Sequence, residues 1–190
     1  GRLSPDEMQN LDPMVELVRA LLGRSEPVRA RRLAERLLEP GRTEALGSAR
    51  TLVLAQMMLD AGELALAARG FERAVELGDR TARAYGSLLR ARLRMGDMAG
   101  ADDVAARWSD ARFKGRPPSG PVDEIAKVFV EEGRVGRAIE LLEARAAERL
   151  EPNAFTLLSE LYVRAGRRGE LTGLARRLVA GDARYTPRLQ

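Results

Sequence analysis

The 190-residue sequence contains no cysteine and no histidine. Disulfide frameworks, Cys/His zinc sites, thiol nucleophiles and Ser-His-Asp triads are therefore all excluded. Lysine is nearly absent as well: Lys114 and Lys127 stand against thirty arginines. Aromatic residues are scarce, with one tryptophan, three tyrosines and four phenylalanines. Long apolar runs are missing; Thr51 to Leu59, nine residues without a charge, falls far short of the roughly 20 that a spanning helix needs. There is no strand pattern to carry a phosphate-binding glycine loop, and neither GxxxxGK[ST] nor GxGxxG occurs in such a setting. No loop alternates acidic residues as an oxygen-only calcium site would. The acidic pairs Asp102-Asp103 and Glu131-Glu132 diverge by about 100° on a helix and cannot share one substrate atom. Catalysis, a metal and a cofactor are therefore not expected.

The charge balance is smaller than it looks. Thirty-two basic residues against twenty-eight acidic ones leave only +4, yet the pI is about 10.1. Arginine does not deprotonate in the accessible range, and without histidine nothing buffers near neutrality, so a small excess lifts the pI. Arginine bias also follows from a GC-rich genome, which makes a bacterial source the expectation. The chain opens without a signal-peptide pattern. A cytoplasmic protein is expected, or a periplasmic one if a leader or anchor preceded Gly1-Arg2, which stand where a methionine would be.

What is present is a repeat. Hydrophobic residues make up 45% and charged residues 32% of the chain, the balance of a soluble folded protein. Four segments, 52–77, 85–108, 122–146 and 155–179, each read as a helical stripe, a glycine and a second helical stripe. The turn glycines Gly62, Gly96, Gly133 and Gly166 are 34, 37 and 33 residues apart, and a period near 34 marks a helix–turn–helix repeat. A glycine at that place suits a left-handed residue after a helix. Pro13, Pro27, Pro121 and Pro152 fall where helices should begin.

These units resemble tetratricopeptide (TPR) repeats. In that family large residues occupy positions 4, 7, 11 and 24, small ones 8, 20 and 27, and glycine or asparagine lies near 15. With Gly62 at 15, Leu54, Ala55, Met58, Ala67, Phe71 and Ala74 match, while Thr51 and Asp79 depart from the usual aromatic and proline. With Gly96 there, Tyr85, Leu88 and Ala101 match, and Arg92 and Trp108 deviate. Gly133 brings Ile125, Ala126, Phe129, Ala138 and Leu142 into place but misplaces Arg145. Gly166 brings in Phe155, Leu158, Ser159 and Tyr162, with Leu171 and Leu178 where small residues are usual. The resemblance implies an all-α, right-handed solenoid of about five antiparallel hairpins. Its repeats would cover about 48–81, 82–118, 119–151 and 152–180 within 44–180, followed by a tail at 181–190.

Residues 1–43 form the first hairpin, degenerate or capping. Met14, Leu17, Val18, Leu21 and Leu22 make one apolar stripe closed by Gly23. Ser25 is the expected cap of a second helix bearing Val28, Leu33, Ala34, Leu37 and Leu38, ended by Pro40-Gly41. The basic, proline-rich stretch 112–120 is three residues longer than the period allows, and reads as a loop insertion or a contact loop.

In the family the groove is lined from positions 2, 5, 6, 9, 12 and 13 of each first helix. Here they supply Gln56 and Asp60, then Arg83, Arg90 and Arg94, then Asp123, Lys127 and Glu131, and last Glu160 and Arg164. The Lys and Asn residues of the family's carboxylate clamp are not reproduced. The resemblance therefore implies a non-catalytic scaffold or adaptor whose partner is a protein or peptide with an acidic stretch, gripped by arginine forks. Solvated surface arginine explains the same residues. RNA binding is the rival from another class, but position 5 (Leu52, Gly86, Asp123, Thr156) has no code-like regularity and no aromatic lies on the groove. Self-association into a homo-oligomer is a further alternative.

Overall fold

The computed structural model describes residues 11–110, 122–148 and 152–179. Among them every regular element is an α-helix. In chain order these are α1 (Leu11–Gly23), α2 (Pro27–Leu37), α3 (Pro40–Asp60), α4 (Leu64–Glu76), α5 (Ala82–Arg94), α6 (Met98–Asp110), α7 (Val122–Glu131), α8 (Val135–Glu148), α9 (Pro152–Arg164) and α10 (Arg168–Val179). The stretch 112–120, Pro121, the tail 181–190 and the side chain of Leu178 lie outside the described residues.

Contacts divide the chain into two compact units, Gly1–Gly115 and Arg116–Gln190. The first holds three hairpins, α1/α2, α3/α4 and α5/α6, with α4 packed on α5 and the first helices α1, α3 and α5 packed in sequence. The second holds the hairpins α7/α8 and α9/α10, with α8 packed on α9 and α7 on α9.

Close approach within a hairpin depends on withheld side chains. Ala55 on α3 and Ala67, Phe71 and Ala74 on α4 are fully buried. A Cβ on Gly70 of α4 would lie 2.7 Å from the Ala55 Cβ and 3.2 Å from its Cα. Ala101 and Ala138 keep the same register buried in later hairpins, as do Tyr85, Phe129 and Tyr162; Phe155 is only half-buried. The four turn glycines have φ between 70° and 79°, a region where a side chain meets the following carbonyl.

Departures from the register have physical reasons. Thr51 is buried because its Oγ1 donates to the Gly47 carbonyl at 2.8 Å, where α3 breaks at φ 75° and ψ 168°. Asp79 accepts from the Thr81 hydroxyl at 2.7 Å and from the Thr81 N–H at 3.2 Å, and Thr81 in turn caps α5 by accepting from the Ala84 N–H. Trp108 is buried and stacks on Tyr85, centroids 6.3 Å apart. Arg92 buries part of its stem and directs its guanidinium to Asp97 at 2.8 Å and Glu72 at 3.8 Å, while Glu72 also meets Arg107 at 2.7 Å. Glu72 therefore ties α4 to both α5 and α6. Glu143, like Glu72 ten residues after its turn glycine, does the same in the second unit. It accepts from the Tyr162 hydroxyl at 2.7 Å and from Arg167 at 3.1 Å, and Arg167 lies over the Tyr162 ring.

The first hairpin corrects three expectations. Ser25 does not cap α2; Glu26 holds the cap place without a side-chain bond, and Pro27 starts the helix. Ser25 instead takes φ 59°. Its neighbours bond as those of Gly62 do, Glu26 N–H to Leu21 O in the first hairpin and Glu63 N–H to Met58 O in the second. Gly23 closes α1 as expected, and the left-handed turn residue is Ser25, so the register of this hairpin counts from there. The shift leaves Leu17 and Val28 outside the core, 49% and 62% exposed, while Leu11, Val15 and Val18 point inward. Pro40 does not end a helix but starts α3.

Gly70→Ala should cost about 1–3 kcal/mol, because the added methyl meets a short, rigid neighbour. Gly136→Ala, exposed on α8 with nothing within 4 Å, should stabilise by about 0.5–1 kcal/mol; denaturant midpoints measure both. A second expectation concerns acid. The Gly100 N–H, at 2.9 Å, and then Arg92 hold the Asp97 carboxyl below its ordinary range. The stability it contributes is present above the unfolded carboxylate pKa and is lost as pH falls through the depressed folded value. Asp97→Ala should therefore lower Tm at neutral pH and hardly change it in strong acid; an equal drop at both would contradict this.

Candidate functional site

The candidate surface is the exposed side of the first helices. On α5, Arg83, Arg90 and Arg94 recur at seven and four residues, so they share one stripe. Arg83 and Arg94 are exposed and Arg90 is half-buried. The opposite side of α5 carries Tyr85, Leu88 and Leu89, all buried, and this burial fixes which way the arginines face.

On α3, which packs against α5, Gln56 is half-buried and donates from Nε2 to Asp60 Oδ1 at 2.8 Å. Asp60 is exposed. Val53, 36% exposed, lies one turn before Gln56 on the same stripe. Sequence reasoning passed over Val53, although position 6 of the register points to it. It supplies an aliphatic spot beside an otherwise polar strip. On α1, which packs against the other side of α3, the corresponding face is charge-balanced: Arg19 pairs with Glu16 at 3.1 Å, and Asp12 accepts from Arg50 of α3 at 2.8 Å. The first unit therefore carries charges of both signs on α1 and three arginines on α5.

The second unit has its own face. Asp123, Lys127 and Glu131 recur at four-residue steps along α7, and Glu160 and Arg164 do so on α9. Lys127, Glu131, Glu160 and Arg164 are exposed and Asp123 is half-buried. Charges alternate in sign here, in contrast to α5. Gln56 and Asp60 stand on α3 and Arg83, Arg90 and Arg94 on α5, two helices in contact in the first unit; Asp123, Lys127 and Glu131 stand on α7 and Glu160 and Arg164 on α9, in contact in the second.

Among the described residues no three His, Cys, Asp or Glu side chains are placed to hold a metal ion. No described helix is long and apolar enough to cross a membrane. The chemistry available on the two faces is ionic and hydrogen-bonding, with aliphatic spots at Val53 of α3 and Val163 of α9, 36% and 62% exposed.

No protein-family model matches the chain, and no curated protein does. Solved structures do. A crystal structure of MamA protein is similar at 17% identity and TM-score 0.50, covering 96% of this chain and 98% of that one. A crystal structure titled as a Podosopora anserina putative kinesin light chain with nearly identical TPR-like repeats aligns at 21% identity and TM-score 0.46, covering 91% and 95%. At such identities the likeness concerns the backbone arrangement. The fold of this chain is a TPR-like helical repeat.

Proposed function

We propose that the chain is a non-catalytic scaffold or adaptor that holds a partner protein through the first-helix face of its first unit. The observation that carries this reading is the stripe Arg83–Arg90–Arg94 on α5 beside Val53 and Gln56 of α3. Three guanidinium forks on one side of a rigid helix suit a carboxylate-bearing segment, since each can take a carboxylate in two parallel hydrogen bonds. Val53 offers a place for one apolar side chain of the same segment. A peptide carrying Glu or Asp with an aliphatic residue between them matches both features. The face of α7 and α9 is the weaker candidate for an acidic segment, because the acidic Asp123, Glu131 and Glu160 stand among its charges.

RNA remains the competing class, and the arrangement favours it less. Arginine alone attracts phosphate, but single-strand readers add aromatic platforms for the bases. Tyr85, Trp108, Phe71 and Phe129 are all buried, so they support packing and not base stacking.

The test uses a labelled peptide of alternating Glu and Leu, with a labelled single-stranded RNA as comparison. The peptide should bind, and Arg90→Glu together with Arg94→Glu should weaken it by 10-fold or more (about 1.4 kcal/mol) with helix content unchanged. Unchanged peptide affinity in the variant would overturn the reading. So would tighter RNA binding that falls steeply and linearly with the logarithm of salt concentration.

A further inference from the structure

The second helices of the first unit share a repeated pair of arginines. Arg32 and Arg36 of α2 stand seven and eleven places after the turn residue Ser25, and Arg69 and Arg73 of α4 stand at the same places after Gly62. The opposite side of α2 is buried through Ala30, Ala34 and Leu37, and that of α4 through Ala67, Phe71 and Ala74. Both arginine rows therefore turn outward. The two helices are neighbours: Arg31 of α2 meets Glu63, at the start of α4, at 3.4 Å, and the Leu38 Cδ1 lies 3.4 Å from the place of a Cβ on Gly70. Four cations thus occupy one outer face, on second helices, whereas the peptide-binding stripe belongs to first helices.

The chain's own acids leave these rows unbalanced. The glutamates of α2 and α4 are Glu35, Glu72 and Glu76. Arg31 holds Glu35 at 3.0 Å, Arg107 holds Glu72 at 2.7 Å and Arg73 holds Glu76 at 2.7 Å. Arg32, Arg36 and Arg69 are exposed, and none of the three has a carboxylate partner among the described residues. Later hairpins balance the same two places. On α6 they hold Asp103 and Arg107, which pair at 3.3 Å, and on α8 they hold Glu140, paired with Arg137 at 2.6 Å, and Ala144. Like charges one turn apart work against their own helix, so an anion brought from outside stabilises α2 and α4.

The make-up of the face selects the kind of anion. Its charges recur along each helix and again from one helix to the next, so they cover an area and not a single track. Neither helix contains Ser, Thr, Asn, Gln, Tyr or Trp, which leaves no neutral hydrogen-bonding or stacking side chain to read a peptide or a base. One turn ahead of each row stands an exposed aliphatic residue, Val28 before Arg32 and Ala65 before Arg69, with Val28 62% exposed. Basic side chains beside an exposed aliphatic group suit the headgroup layer of an anionic bilayer, which takes up both. We infer that the outer face of α2 and α4 rests on an anionic lipid surface, with Arg32, Arg36, Arg69 and Arg73 at headgroup phosphates and Val28 entering the acyl boundary. The contact uses none of Arg83, Arg90 and Arg94, so it stands apart from the peptide-binding reading.

Cosedimentation of the full chain with lipid vesicles tests the inference. The protein should bind vesicles made of phosphatidylglycerol and phosphatidylcholine in equal parts, and should not bind phosphatidylcholine alone. Arg32→Ala together with Arg69→Ala should weaken binding by roughly 30-fold, about fivefold for each arginine. Helical circular dichroism and peptide affinity should stay unchanged in that variant, since both side chains are exposed and alanine favours the helix. Val28→Ser should weaken the binding that remains in high salt, where the charges are screened. No binding to the anionic vesicles, equal binding to both kinds of vesicle, or a larger loss from Arg90→Ala with Arg94→Ala would each overturn the inference. So would polyglutamate or single-stranded RNA held through Arg32 and Arg69 more tightly than the vesicles.

Discussion

Two helices of a hairpin approach closely only where one of them withholds a side chain, and most of the structure follows from that contact. Gly70 lies against Ala55 so tightly that no Cβ fits between them. Ala67 and Ala74 flank Phe71, and all three are fully buried. A large side chain between two small ones fills the gap toward the next hairpin. Each aliphatic group removed from water in this way contributes roughly 1.5–3 kcal/mol, but a single hairpin offers a covered flank on one side only. The neighbour completes the burial, which is why hairpins of this type occur in arrays.

Polar links between hairpins act where the apolar register lapses. Arg92 stands at a place usually filled by a large apolar group, and Glu72 and Asp97 receive its charge. Burial pulls Arg107 down, but Glu72 and Asp103 more than offset it and hold the guanidinium above its ordinary range. Glu170 holds Arg167 above its ordinary range in the same way, with Glu143 adding to it, and the Glu170 carboxyl sits below its own. Such solvent-screened pairs add little to stability on their own. Their value is positional: a glutamate ten residues after the turn glycine fixes how far one hairpin slides along the next. Trp108 makes a similar adjustment by stacking on Tyr85, so a bulky residue at a small-residue position still packs.

The turns were legible in the sequence because only glycine adopts φ near 75° without strain. Gly62, Gly96, Gly133 and Gly166 therefore announced their hairpins. The first hairpin lacks that marker: Gly23 closes α1, but its left-handed residue is Ser25, which nothing in the sequence distinguishes. Leu17 and Val28 were assigned to the core because an apolar stripe shows which residues could be buried, not whether a neighbour is there to bury them. The position rule identified the arginine stripe on α5 and could have identified Val53. It could not tell that α1 neutralises its own charges through Arg19–Glu16 and Arg50–Asp12, because the second pair joins residues far apart in sequence.

Native-state hydrogen exchange, resolved by residue, examines the dependence of each hairpin on its neighbour most directly. Stacked hairpins predict a gradient within the first unit. Amides of α4, enclosed by its own hairpin and by α5, should exchange only through the largest opening, while those of α1 should exchange through a smaller one and lose protection first under mild denaturant. Protection that is uniform from α1 to α6, or greater in α1 than in α4, would contradict the account.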